Sequence, residues 1–217
     1  MFELATIFGA SFTLALSGAL MPGPLLTVTI AESARIGFKA GPLLITGHAL
    51  LELLLVIAIV HGLGPFLKSP PVMGVISLLG GGMLLWMGVD MARNSGGLSL
   101  NRQATENKGK RAPHPLLVGV LASLSNPYWT LWWATIGLGY LVTAMKYGTK
   151  GVIVFFLGHI AADYAWYMLV SFGISRGKRL LKDRIYQIMI RICGIFLIGF
   201  GAWFLFSARG YLAKTNL

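Results

Sequence analysis

Six apolar stretches of this 217-residue chain, at about 5–31, 40–61, 71–92, 115–144, 151–174 and 185–207, are each long enough to cross a bilayer. Roughly 20 helical residues span the hydrocarbon, and inside it every backbone polar group must be satisfied within the segment, so these stretches are expected as helices. A water-soluble alternative fails on surface: 56% of the residues are hydrophobic and 12% charged, about half the charged share of an average soluble domain. The fold class expected is therefore an all-α membrane protein of six transmembrane helices. Its first stretch is expected to stay in the fold, because it opens on Glu3 and outruns the short apolar core of a removable leader.

The breaks fall at Glu32 to Lys39, Gly62 to Pro71, Asn94 to His114, Met145 to Lys150 and Arg176 to Arg184. Asn94 to His114 is the one long loop, with little to bury. Twelve of the 18 Lys and Arg (Arg35, Lys39, Arg93, Arg102, Lys108, Lys110, Arg111, Arg176, Lys178, Arg179, Lys182 and Arg184) lie on the side of the first, third and fifth connections. Lys68, Lys146, Lys150, Arg209 and Lys214 lie on the other, and Arg191 within the last segment. The positive-inside rule then puts the 94–114 loop in the cytoplasm and both termini outside. The net charge of +11 sits at segment ends and not on one soluble face, which points to anionic lipid as partner and away from nucleic acid. One cysteine, Cys193, excludes internal disulfides, a CxxC pair and a thiolate metal cluster.

The second and fifth segments share a pattern, Gly47-His48-Ala49-Leu50-Leu51-Glu52 against Gly158-His159-Ile160-Ala161-Ala162-Asp163, at an offset of 111 residues. The third and sixth share another, Gly81 to Gly88 against Gly194 to Gly201, at 113. Two nearly equal offsets in the same order argue for a duplicated three-helix unit, 1–93 and 115–217, flanking the 94–114 loop. An odd number of crossings inverts the second unit relative to the first, as in many secondary transporters. The first and fourth segments match in position only: each carries a breaker, Met21-Pro22-Gly23-Pro24 and Ser125-Asn126-Pro127. Both helices are expected to break at mid-membrane, and the freed backbone groups must line protein or a wet cavity.

Pro22-Gly23-Pro24, Asn126-Pro127, about six spans and a basic loop after the third resemble the LysE/RhtB family of amino-acid exporters over nearly the whole chain. The resemblance implies export of a small metabolite, usually an amino acid, from the bacterial or archaeal cytoplasm through the cell membrane, driven by the proton gradient and needing no cofactor. Family motif positions carry over to Pro22, Gly23, Pro24, Asn126 and Pro127. The chain departs from the commoner pattern at Tyr128, where a lysine often stands, and in Trp129, Trp132 and Trp133.

Glu52 and Asp163 fall near the middle of the second and fifth segments, where an ionised carboxylate must be paired, solvated or protonated. His48 and His159 each stand four residues earlier, on the same helix face. Burial disfavours the carboxylate and a neighbouring imidazolium favours it, so each pair can hold or release a proton. The expectation is that Glu52 and Asp163 carry a coupling proton with His48 and His159 as relays, the alternative being structural hydrogen bonds. The substrate is expected at Pro22, Gly23, Pro24, Asn126, Pro127, Tyr128 and Trp129, its carboxylate on first-turn N–H groups at Gly23 and Tyr128. Two histidines and two carboxylates also suit a first-row metal ion as cargo, and a membrane-embedded enzyme is the rival class, although no nucleophile or catalytic loop accompanies the pairs. Asp90 is expected to pair with Arg93. Gly80 to Gly82, Gly88, Gly194, Gly199 and Gly201 are expected to permit close helix packing within the chain or in a homodimer.

Overall fold

The computed structural model describes residues 2–97, 113–177 and 183–213. Most of the 94–114 loop, with Arg102, Lys108, Lys110 and Arg111, lies outside the described residues, as do Lys178, Arg179 and Lys182. All secondary structure among the described residues is helical: α1 Phe2–Ala19, α2 Pro24–Ile36, α3 Ala40–Ala58, α4 Gly64–Lys68, α5 Pro70–Asn94, α6 Pro115–Leu124, α7 Pro127–Trp132, α8 Leu138–Met145, α9 Gly148–Gly177 and α10 Asp183–Ala213. Five helical stretches, 2–19, 24–67, 70–97, 148–177 and 183–213, are long and apolar enough to cross a membrane. The fourth expected segment is divided: α6, α7 and α8 follow one another across a break at Ser125-Asn126 and a wide π turn at Trp133–Gly137.

Both breaker motifs interrupt their helices, and they do so by restarting them. Pro24 and Pro127 each stand in the first turn of the next half-helix, where a missing N–H costs nothing because those N–H groups have no intrahelical partner. The stretch 24–67 is not one rod. Ser33 Oγ lies 2.8 Å from Ser171 Oγ, and Gly41 N–H donates to the same hydroxyl at 3.2 Å. Eight residues of straight helix would hold those positions about 12 Å apart, so the chain reverses between them, at Gly37 with φ 80°. Ser171 donates its own proton to Phe38 O at 3.0 Å, which clasps the turn to α9.

Glycines set the closest helix contacts. A Cβ on Gly47 would collide with the Leu116 carbonyl, and one on Gly119 with the Leu44 carbonyl, so α3 and α6 touch backbone to backbone. α1 meets α9 alike: a Cβ on Gly158 would lie 2.6 Å from Phe8 O, and Ser11 Oγ donates to Phe155 O at 2.6 Å. α5 and α10 pack through Gly81 on Gly201 and Gly88 on Gly194. Gly82 and Gly199, expected to share this role, face open space. Asp90 accepts from Asn94 Nδ2 at 2.6 Å, and no ion pair joins it to Arg93 among the described residues. Asn94 lies one turn on along the same helix face, and its amide reaches the carboxylate directly. Gly119→Ala should lower the unfolding midpoint in detergent by the equivalent of about 1–3 kcal/mol, the cost of overpacking, while Gly82→Ala leaves it unchanged. Equal midpoints for the two variants would contradict the α3/α6 contact.

Candidate functional site

The Gly-His-x-x-x-acid pattern becomes intelligible at the contact of α3 and α9 with the broken helices. Gly47 and Gly158 let α6 and α1 approach, and the histidine beside each glycine, with the acid one turn later, reaches inward. The structure joins the two pairs into one ring in which bases and acids alternate. His48 Nε2 lies 3.1 Å from Glu52 Oε1 and 3.7 Å from Asp163 Oδ2, and His159 Nε2 lies 2.9 Å from Glu52 Oε2 and 3.5 Å from Asp163 Oδ2. All four residues are 5% exposed or less. Every edge of the ring therefore sets a possible cation against an anion, the arrangement that offsets burial best.

Glu52 is the most constrained member. Trp129 and Trp133 both donate their indole N–H to Glu52 Oε1, at 2.9 and 2.7 Å. These tryptophans sit four residues apart after the second break and share a helix face. His48 is fixed from its other nitrogen. Its Nδ1 lies 2.7 Å from Ser123 Oγ, and Ser123 donates to Gly119 O at 2.8 Å. The arrangement that uses both contacts has His48 Nδ1–H donating to Ser123, which leaves His48 Nε2 facing the carboxylates. A neutral imidazole would then meet them lone pair to lone pair, so the ring closes only with a proton, or a cation, held within it.

Around the ring lies a cavity of about 50 Å³, lined by residues of both breaks and all four ring members. Of the positions expected from the sequence, Pro22, Gly23, Asn126, Tyr128, Trp129, His48, Glu52, His159 and Asp163 line it. Pro24 and Pro127 do not, and serve as first-turn residues of α2 and α7. The breaks touch: a Cβ on Gly23 would lie 3.4 Å from Asn126 Nδ2. One expectation is corrected here. The Tyr128 amide is not free for a ligand, because Asn126 Oδ1 accepts from it at 3.1 Å as the cap of α7, whereas the Gly23 cap of α2 offers no side chain to its first-turn amides. Sequence reading missed Ser123 in the lining and the hydrogen bond from Trp133 to Glu52, and it noted Trp132 and Tyr167, which also line the cavity, only as aromatic residues near the polar positions. The four-residue spacing of Trp129 and Trp133 was the available signal.

His48, Glu52 and Asp163 can each bring one donor atom within 4.8 Å of the others, a set that suits a divalent cation. Two N–H donors fill Glu52 Oε1, which leaves Oε2 as the oxygen such an ion could take. Trp129→Phe and Trp133→Phe should each cost about 1.5–3 kcal/mol of stability, the range for hydrogen bonds to a charged group. The cost should shrink when Glu52 is first changed to Gln, and thermal unfolding of the single and double variants measures that coupling. A cost independent of residue 52 would contradict the indole contacts.

The LysE type translocator model matches residues 16–208. A Bacillus subtilis (strain 168) protein named "Putative amino acid efflux protein YcgF" is 26% identical over 200 residues, covering 91% of this chain and 94% of the relative. The Pseudomonas aeruginosa strain PAO1 "Chemotactic transduction protein ChpE" is 23% identical over 201 residues, with the same coverage. No solved structure matches. With the family match extending over both breaks and all four ring residues, this multi-pass membrane protein belongs to the LysE type translocator family of membrane exporters.

Proposed function

We propose that this chain exports a small metabolite, an amino acid foremost, from the bacterial or archaeal cytoplasm by alternating access, with protons as the coupling ion. Two three-helix halves of opposite orientation, both termini outside, rock about the cavity. Reciprocal contacts support the inversion. The two Gly81 and Gly88 contacts exchange under the 113-residue offset, Gly81 on Gly201 becoming Gly194 on Gly88. The α3/α6 contact likewise has its counterpart in α9/α1, with Leu44 and Gly47 replaced by Phe155 and Gly158. The observation that carries the reading is that both helix breaks and both His/carboxylate pairs line one cavity. Broken helices facing a shared buried site are how transporters expose backbone dipoles to a substrate.

At about 50 Å³, the cavity has room for a few waters, so a metabolite enters only when the halves part. Glu52 and Asp163 carry the proton in this scheme, with His48 and His159 as relays. Pro22, Gly23, Asn126, Tyr128 and Trp129 form the substrate wall, and the basic connections hold the cytoplasmic face against anionic lipid. The His48, Glu52 and Asp163 donor set favours a second reading, a divalent cation as cargo, which could take the Glu52 Oε2 that the indoles leave without a donor. In liposomes loaded with single amino acids, Glu52→Gln and Asp163→Asn should reduce pH-gradient-driven efflux to about a tenth or less of the native rate, as for intramembrane carboxylates in proton relays. Undiminished pH-driven efflux in both variants rejects the proton role, and efflux of a divalent metal ion in preference to every amino acid supports the second reading.

A further inference from the structure

Six buried side-chain polar atoms lack a hydrogen-bond partner among the described residues: Glu52 Oε2, Ser77 Oγ, Trp132 Nε1, His159 Nδ1, Asp163 Oδ2 and Trp166 Nε1. Four belong to residues that line the cavity, Glu52, Trp132, His159 and Asp163. Folded interiors rarely leave such atoms unmet, and a cluster of them calls for a missing partner. Glu52 Oε2 has His159 Nε2 at 2.9 Å, off the line of a hydrogen bond. The His159 ring lies among Trp132, Trp133 and Phe155, with centroids 4.9, 5.2 and 6.1 Å away. Trp132 is different in kind. An indole nitrogen can only donate and does not change protonation state, so nothing but an acceptor satisfies it.

Its position says which acceptor. Trp129 and Trp133 deliver their N–H to Glu52, but Trp132 turns to the first break, where a Cβ on Gly18 would stand 3.1 Å from its nitrogen. Gly18, Met21, Pro22 and Gly23 line the cavity on that side. There α2 begins without a side-chain cap, and Gly23 and Leu25 at its start line the cavity, which sets the uncapped first turn and its positive dipole end beside the same space. Two sources of N–H donation thus converge on one side of the cavity. The nearest imidazole nitrogens to Asp163 Oδ2 lie 3.5 and 3.7 Å away, which leaves this carboxylate room for a further donor.

We infer that Trp132 Nε1 is a substrate-binding donor, holding a carboxylate beside the start of α2, while Asp163 accepts the ammonium of the same molecule. The inference rests on the proposed transport site and gives the two charged groups of an amino acid their separate partners there. It also makes the proton and the ammonium compete for Asp163, the requirement for exchange of one against the other.

Calorimetry on the full chain in detergent, with the twenty proteinogenic L-amino acids offered singly, tests it. Each binder is then compared with its decarboxylated amine and its deaminated acid. Trp132→Phe should weaken the amino acid and the deaminated acid by about tenfold or more and the amine by no more than about twofold, as for loss of one hydrogen bond to a charged group. Asp163→Asn should weaken the amino acid and the amine and spare the deaminated acid. Replacing the Trp132 indole with benzothiophene keeps the ring and removes only the N–H, so it should reproduce the same selective loss even if Trp132→Phe folds poorly. Unchanged amino-acid affinity with benzothiophene at position 132, or equal losses for acid and amine, overturns the role of Trp132 and leaves the cavity as the transport site. Failure of all these ligands to bind the native chain overturns the site reading itself.

Discussion

Four ionisable side chains buried between α3 and α9 set the terms for everything around them. Taking a charge out of water costs several kcal/mol, and an unpaired one would unfold the region or change its protonation. Here the ring alternates His48, Glu52, His159 and Asp163, and two indoles and a serine support it from the far sides. Remove one member and its neighbours are left as buried charges. The ring thereby ties α3 to α9, and through Trp129, Trp133 and Ser123 ties both to the pieces of the interrupted fourth segment.

The α3/α6 and α9/α1 contacts are alike in backbone and unlike in chemistry, and the difference falls at this ring. Ser123 stands four residues after Gly119, the residue of α6 that meets Leu44, and gives His48 Nδ1 its partner. The residue of α1 four positions after Ser11, which meets Phe155, is Ala15. His159 Nδ1 has no hydrogen-bond partner among the described residues, and its ring is held by aromatic neighbours instead. One imidazole is thus fixed by hydrogen bonding and the other by packing.

Much of this was legible in the letters. Hydropathy located the apolar segments, and the 111-residue offset drew attention to Gly47-His48 and Gly158-His159 together, with Glu52 and Asp163. Proline and glycine located both breaks, because their backbone chemistry admits few alternatives inside lipid. The first and fourth segments are similar in position only, and their breaks differ in length: the first spans Leu20 to Gly23 and the second only Ser125 and Asn126. The closing of two separate pairs into one ring depends on tertiary contact, as does the divergence of Trp132 from Trp129 and Trp133, and no local spacing specifies either. The capping of the Tyr128 amide was readable, since Asn before Pro at a helix start is a capping signal.

In the proposed mechanism one cavity, bounded by both breaks and the ring, opens alternately to the two sides of the membrane. Single cysteines at Ala15 and Met21, which line the cavity, in a Cys193→Ser background, can be exposed to a membrane-impermeant methanethiosulfonate in right-side-out and in inverted vesicles. Alternating access requires modification at both positions in both vesicle orientations. Reaction from one face alone, or from neither, would contradict it.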